Sequence, residues 1–428
     1  MINGTDQQQV DPGGGGADRI TDLADDVLHI ILARLPTTAE AARTSVLSRR
    51  WRRVWTGVPA LSFRYGEAPT SSTAQLQDEL NRIDAVLSVQ APTTKTLERL
   101  EIAVPYGVVP DARVARWLRF AARRLNGELR LALPSSMRWR DEAAAAAAAI
   151  PLCERVTFMR WREESKEAAI PLCEGVTSMS LCLERTLRFP VHSAAGAFTA
   201  LAALELRKCC VDGGELESIL SFRCPSLKKL ALKDVTVATL QPPAGDDRGR
   251  GLCICSLSLE HLKITYIYIS LNGLVHISFN GLLQVATPEL QSFSVNVRCD
   301  LQIIAPKLSE LHWNRSSYDP RRHRLGEVAV ARHLRRLKVG ANTPAVAIMR
   351  RFHTVHELKL VVYIAAGPYN YGRFLEKINH LAKCEILVLK YRVAKHVFKA
   401  TMINILSKCA GVRKLVIDYP IHFTVSAF

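Results

Sequence analysis

The side chains best suited to chemistry in this chain are its 11 cysteines and 12 histidines. At tetrahedral spacing such residues hold zinc, and a cysteine of lowered pKa beside a base becomes a nucleophile able to carry an acyl group. Neither arrangement is present. Cys209 and Cys210 are adjacent, Cys253 and Cys255 flank one residue, and no Cys-x-x-Cys pair or closely spaced Cys/His set occurs. Cys182, Cys224, Cys409 and the Leu-Cys-Glu phrase at 152–154 put cysteine where leucine would serve. In a reducing compartment such a residue is a small hydrophobe. His312, His323 and His333 lie in or beside apolar repeats, and no acid is spaced to make any of them a general base. A glycine-rich nucleotide loop, His-Glu-x-x-His and Gly-x-Ser-x-Gly are all missing. The expectation is a non-enzyme: no catalytic residue, no metal, no cofactor.

What remains is binding, and composition bounds it. The chain has 428 residues, 48% hydrophobic and 23% charged, enough to bury a large core. No stretch approaches the roughly 20 uninterrupted apolar residues of a spanning helix; Ala143 to Ile150 is an alanine tract stopped by Pro151. The first residues, MINGTDQQQVDPGGGGAD, show neither a basic leader nor an apolar segment, so no secretory signal is expected and the nucleus and/or cytoplasm is the expected location. The formal charge of +17 attracts phosphate whatever the fold. Its clusters are short, however: Arg49, Arg50, Arg52, Arg53; Arg321, Arg322, Arg324; Arg332, Arg335, Arg336. With no regular aromatic interleaving and no recognition helix, nucleic acid is the weaker partner reading, and an acidic protein explains the charge equally well.

Two kinds of element could build a binding surface. Residues 1–17 read as a disordered tail around Gly13 to Gly16. Asp22 then offers a helix cap with Asp25 three residues on, and Leu23, Val27, Leu28, Ile31, Leu32 and Leu35 recur at helical spacing until Pro36. Thr37 or Thr38 caps a second segment carrying Ala41, Ala42, Val46 and Leu47, and a third carries Trp51, Val54 and Trp55 before Gly57 and Pro59. This helical unit spans 18–60. A linker and a helix with Leu76, Leu80, Ile83, Val86 and Leu87 fill 61–95.

From 96 to 428 the chain repeats one phrase, apolar at i, i+3 and i+5. It occurs at Leu97, Leu201, Leu227, Leu259, Leu290, Leu308, Leu334, Val355, Cys384 and Val412. The last two positions alternate as a short strand requires; one such strand cannot bury its apolar side, but a stack can. From Leu201 onward, starts lie as close as 18 residues (Leu290 to Leu308) and as far apart as 32 (Leu227 to Leu259), against a leucine-rich-repeat norm of about 20–29. The predicted fold class is therefore α/β, a helical unit followed by an irregular leucine-rich-repeat solenoid, with insertions near 134–180 and 241–251. Ala-Ala-Ile-Pro-Leu-Cys-Glu at 148–154 recurs at 168–174, which suggests a duplicated repeat and weak specification around 134–180. Ligands of such stacks meet positions beside the apolar scaffold, here Glu205, Arg207, Lys229, Lys233, Lys263, Arg336 and Lys338.

The segment Asp18 to Pro36 followed by Thr44-Ser-Val-Leu-Ser-Arg-Arg-Trp-Arg-Arg-Val-Trp55 resembles the F-box of the large plant F-box/leucine-rich-repeat family. Leu23-Ala24-Asp25-Asp26 lacks the proline usual in that family, an aid to helix initiation and not a chemical group. Cys224-Pro-Ser-Leu, Thr287-Pro-Glu-Leu and Ala305-Pro-Lys-Leu resemble the family's repeats, whereas its terminal FBD segment has no convincing counterpart after Leu360. The resemblance implies an F-box docked on a Skp1-type adaptor, linked through a cullin to a RING protein and ubiquitin. The implied contact set is Leu23, Val27, Leu28, Ile31, Leu35, Pro36, Val46, Leu47, Trp51 and Trp55, with Leu28 and Leu35 able to face the internal core instead. The implied function is the substrate-recognition subunit of a Skp1-cullin-F-box ubiquitin ligase, with the substrate unread. The alternatives are a non-degradative F-box scaffold and a basic repeat module for nucleic acid.

Overall fold

The computed structural model describes residues 20, 23–65, 73–90, 96–104, 108–133, 167–190, 196–238, 251–271, 274–276, 282–297, 299–313, 318–326, 334–340, 345–363, 381–392, 398–408 and 411–418. The expected tail, the alanine tract, and the insertions at 134–166 and 241–250 lie outside them, as do Cys153, His333 and Cys409.

The chain begins with three short helices: α1 (Asp25–Leu32), α2 (Thr38–Arg43) and α3 (Trp51–Val54), with tight turns at Thr44–Val46 and Trp55–Gly57. The periodicity predicts a first helix capped by Asp22; α1 instead starts at Asp25 behind an extended Ala24 that gives no side-chain cap. The Asp25 carboxylate is engaged elsewhere, accepting from Arg50 Nε at 2.9 Å, so one ion pair ties the start of α1 to the entry of α3. Thr37 caps α2 as the sequence suggests, its Oγ1 accepting from the Glu40 amide at 3.3 Å. Leu28, Leu32, Ala41, Trp51, Val54 and Val58 form a small core of their own, flanked by Leu23, Ala33, Leu35 and Trp55.

The rest is largely parallel β/α structure. Seventeen of the described strands join one sheet. Its main row runs β1 (Ala60–Arg64), β2 (Leu97–Ala103), β3 (Leu125–Ala132), β5 (Ser178–Cys182), β7 (Ala203–Arg207), β9 (Lys229–Ala238) and β11 (His261–Leu271). It continues through β14 (Ser292–Asn296), β16 (Glu310–Trp313), β18 (Arg336–Gly340), β19 (Glu357–Tyr363), β20 (Ile386–Arg392) and β21 (Lys414–Asp418). All are parallel neighbours. Each apolar phrase of the sequence ends on one of these strands, and register aligns Leu230, Leu262, Phe293 and Leu311 into a buried column, with Leu232, Ile264, Val295 and Trp313 as the next. The entry to each strand is equally regular. The Leu227, Leu290 and Leu308 amides donate to the carbonyls of Cys224, Thr287 and Ala305 at 3.2–3.3 Å, closing turns with Pro225, Pro288 and Pro306 second, where a fixed φ favours the bend.

Several strands turn a corner at their far end. Arg207, Lys233 and Thr265 are register partners, and the next residue in each is left-handed without being glycine: Lys208 (φ 48°), Asp234 (φ 54°) and Tyr266 (φ 57°). Glu184 (φ 44°) bends the chain beyond β5. Each such residue costs about 1 kcal/mol. The segments past the corners recover hydrogen bonds by pairing again, as β6 (Thr186–Arg188), β8 (Cys210–Asp212) and the second half of β9, with β4 (Glu167–Ala169) pairing on β6. Residues 167–180, inside the stretch expected to be poorly specified, thus hold β4 and the start of β5, because their apolar side chains fill the same buried columns.

Helices α4 (Thr73–Gln90), α5 (Asp111–Arg124) and α6 (Gly213–Ser218) lie in the connections of the first half. The connections between β9 and β18 carry short strands: β10 (Leu252–Cys255), β13 (Leu282–Ala286), β15 (Asp300–Ile304) and β17 (His323–Leu325) form a separate four-stranded parallel sheet, and helices return at Ala345–Arg351 and Phe398–Lys408. The two layers share a plug in which the Trp313 ring lies 5.3 Å from Tyr318 and 5.0 Å from His323, all three buried. His323 Nδ1 accepts the Asp319 amide at 2.8 Å, so the ring is held neutral, and burial lowers its pKa below the ordinary 6.5. The unfolded chain therefore binds this proton more readily than the folded one. Stability is expected to be full above about pH 6.5 and to fall as the pH drops through the window below it. Thermal melts across that range should show the decline, with a smaller slope in His323→Gln.

Candidate protein-docking surfaces

In the helical unit the small core decides which apolar residues are left over. Trp51 is 5% exposed and Leu28 fully buried, so in the free chain both belong to the internal core, the alternative left open for Leu28 in the sequence. Both face inward because α1 and α3 pack on each other, with Val54 and Val58 closing the cluster. Leu23, Leu35 and Trp55 are half-buried against it. Val27, Ile31 and Pro36 are exposed, and Val46 and Leu47, on the turn after α2, stand 82% and 64% in solvent. Ile20 and Ile30 are exposed as well, and the sequence reading omits them. Ile30 directly precedes Ile31, and helical periodicity gives no reason for two successive isoleucines to face out. Exposed branched aliphatics in so small a unit form a protein-docking surface.

The unit is fixed to the strands that follow. The Ser62 amide of β1 donates to Thr38 Oγ1 at 2.7 Å, and Gln90 Nε2 at the end of α4 donates to the Thr56 carbonyl at 2.7 Å. The two surfaces are thereby held in one relation.

The second surface is the sheet face opposite the leucine columns. All seven positions named from sequence lie on strands of the main row, and three of them, Glu205, Lys263 and Lys338, occupy one register column. A groove of about 480 Å³ crosses its earlier half, with Glu101, Arg130, Glu205, Lys229 and Lys263 among its lining. The carboxylates there are matched: Arg64 meets Glu101 at 2.8 Å, Arg99 and Arg130 meet Glu128 at 3.0 and 2.6 Å, and Glu205 takes Ser180 Oγ at 2.9 Å beside Arg207. Arg336 is likewise spoken for, by Glu310 and Glu357. Ser294, His312 and Lys359 share the column; the sequence singles out only His312, and not as a binding residue, since all three fall in phrases whose apolar residues alone carry the signal.

Cysteine chemistry is suppressed at the buried positions. Burial pushes the Cys173 thiol up to about 11 and those of Cys224 and Cys299 to about 12, so none supplies a thiolate near neutrality. Among the described residues no three His, Cys, Asp or Glu side chains converge as a metal site, and no helix is long and apolar enough to cross a membrane.

The F-box domain family matches residues 20–62, the helical unit and β1. Residues 20–62 are therefore an F-box domain, and F-box domains are non-catalytic protein-interaction modules. Its relatives include an F-box protein of Arabidopsis thaliana, 33% identical over 129 residues, 30% of this chain and 37% of that one. F-box/LRR-repeat protein 25 of the same plant is 51% identical over 49 residues, 11% of this chain and 19% of its own length. A further Arabidopsis F-box/LRR-repeat protein is 40% identical over 86 residues, covering 17% and 19%. Over these segments the chain is similar to plant F-box/leucine-rich-repeat proteins, and it matches well under half the length of these relatives.

Proposed function

We propose that this chain is the substrate-recognition subunit of a Skp1-cullin-F-box ubiquitin ligase, acting in the nucleus and/or cytoplasm. The observation that carries the reading is the exposed aliphatic set Val27, Ile31, Val46 and Leu47 on an F-box whose own core is complete without it. In this reading the main row is an irregular leucine-rich-repeat solenoid, its polar face receives a protein, and the cullin and RING partners supply the chemistry. The hydrogen bonds from Ser62 to Thr38 and from Gln90 to Thr56 support it, because a fixed spacing between the two surfaces turns transfer to a substrate lysine into an effectively intramolecular step.

Purification of the full chain from plant cells, followed by mass spectrometry and by a ubiquitin-transfer assay on the recovered complex, tests it. Recovery of adaptor and cullin together with ubiquitination of a co-purifying protein is the expected result. A complex that forms but leaves every bound protein unmodified and equally long-lived in cells would replace it with a non-degradative scaffold. Absence of adaptor from a folded sample would remove the ligase reading altogether.

A further inference from the structure

The outward column changes character along the sheet. Over β2 to β7 its carboxylates are neutralised by neighbouring arginines, as described above. Over β11 to β19 register aligns Lys263, Ser294, His312, Lys338 and Lys359, and the described residues place no carboxylate against any of the three lysines. Acids on strands of the same half are occupied: Glu310 and Glu357 by Arg336, Asp418 by Lys390 at 3.2 Å. Between the lysines Ser294 Oγ and His312 Nδ1 lie 3.1 Å apart, polar groups able to orient an oxyanion.

We propose that this row is a docking track for an extended acidic segment, rich in Asp and Glu, of the protein that the chain recruits. The occupant follows from charge and length. Four strand-to-strand steps of about 4.8 Å make a track of about 19 Å, which an extended chain at about 3.3 Å per residue covers in about six residues. A single small anion would reach only one or two of the lysines. Like-charge crowding agrees with the geometry: burial, then Lys359, Lys390 and Lys263, hold the Lys338 ammonium below its usual 10.5, a cost that bound carboxylates relieve. The inference rests on the protein-receiving role proposed above.

Fluorescence anisotropy on the full chain in complex with a Skp1-type adaptor tests it, using a labelled oligoglutamate of about six residues, oligoglutamine of equal length and single-stranded oligothymidine. The oligoglutamate is expected to bind and the oligoglutamine not to. Lys263→Glu, Lys338→Glu and Lys359→Glu combined should lower oligoglutamate affinity at least about tenfold, and the same three changed to Arg should keep it within about threefold. A control of equal charge, Arg321→Glu with Lys383→Glu and Lys408→Glu, should shift it less than about twofold. A control that loses as much as the row variant would overturn the track, leaving net charge alone. Tighter binding of oligothymidine, lost with the row, would overturn it in favour of nucleic acid. Adaptor retention in every sample separates the two readings: a row variant that keeps both adaptor and peptide defeats the track alone, whereas wild type without adaptor defeats the ligase reading.

Discussion

Replacing Val46 and Leu47 together with aspartate is expected to weaken binding of a Skp1-type adaptor more than about a hundredfold and to leave the fold intact. Both residues stand on the turn after α2 and neither belongs to the F-box core. Burying each against a partner contributes about 1.5–3 kcal/mol, and a charge forced into the same place adds a desolvation penalty. Even the lower bound for the pair exceeds the ~2.7 kcal/mol that a hundredfold requires. In the free chain both changes sit in water, where such substitutions shift stability by no more than about 0.5 kcal/mol. Titration calorimetry with purified adaptor, beside thermal melts of both proteins, reads the two effects separately. Undiminished affinity would move the docking surface off this turn, toward Ile20, Ile30 or Ile31.

Trp51→Ala should abolish the same binding by another route. Removing a buried tryptophan costs about 3–5 kcal/mol, and here the loss falls on a core of Leu28, Leu32, Ala41, Val54 and Val58 with no reserve. The F-box is expected to melt locally, while the strands keep their own, far larger, buried cluster. Hydrogen exchange should therefore rise across 25–58 and remain slow in the strands from β7 to β16. Uniform protection with lost adaptor binding would mean that Trp51 is a contact residue after all. The paired results distinguish a surface from the core behind it, which binding data alone cannot do.

The strand row was legible because its signal is local. Leu-x-x-Leu-x-Leu states both the entry turn and the alternation of the strand, and all ten phrases found a place in the sheet. Three strands escaped. Val176, Met179 and Leu181 fit the phrase with only one leucine, Val58, Leu61 and Phe63 hide at the end of the F-box, and β3 carries Asn126 where the first apolar residue belongs. The second layer escaped for a different reason. Pairs such as Leu252 with Ile254, or Leu301 with Ile303, are too short to separate strand from loop until a neighbour in register completes them. On the F-box, periodicity identified the apolar residues but could not sort Trp51 and Leu28 from Val46 and Leu47. Which side faces the partner depends on how three helices pack, a nonlocal fact.

The outward column also bears on how such a chain can change through descent. Glu205, Lys263, His312 and Lys338 stand between leucines that fix the strands, yet none of the four helps to fill the core. A point substitution at any of them alters what the face attracts and leaves the ladder beneath it as it was. Duplication or loss of a whole coil demands only that its two leucines and entry turn meet the next ones in line. A lineage built on this plan can exchange partners by small genetic steps, with the adaptor-binding end inherited unaltered.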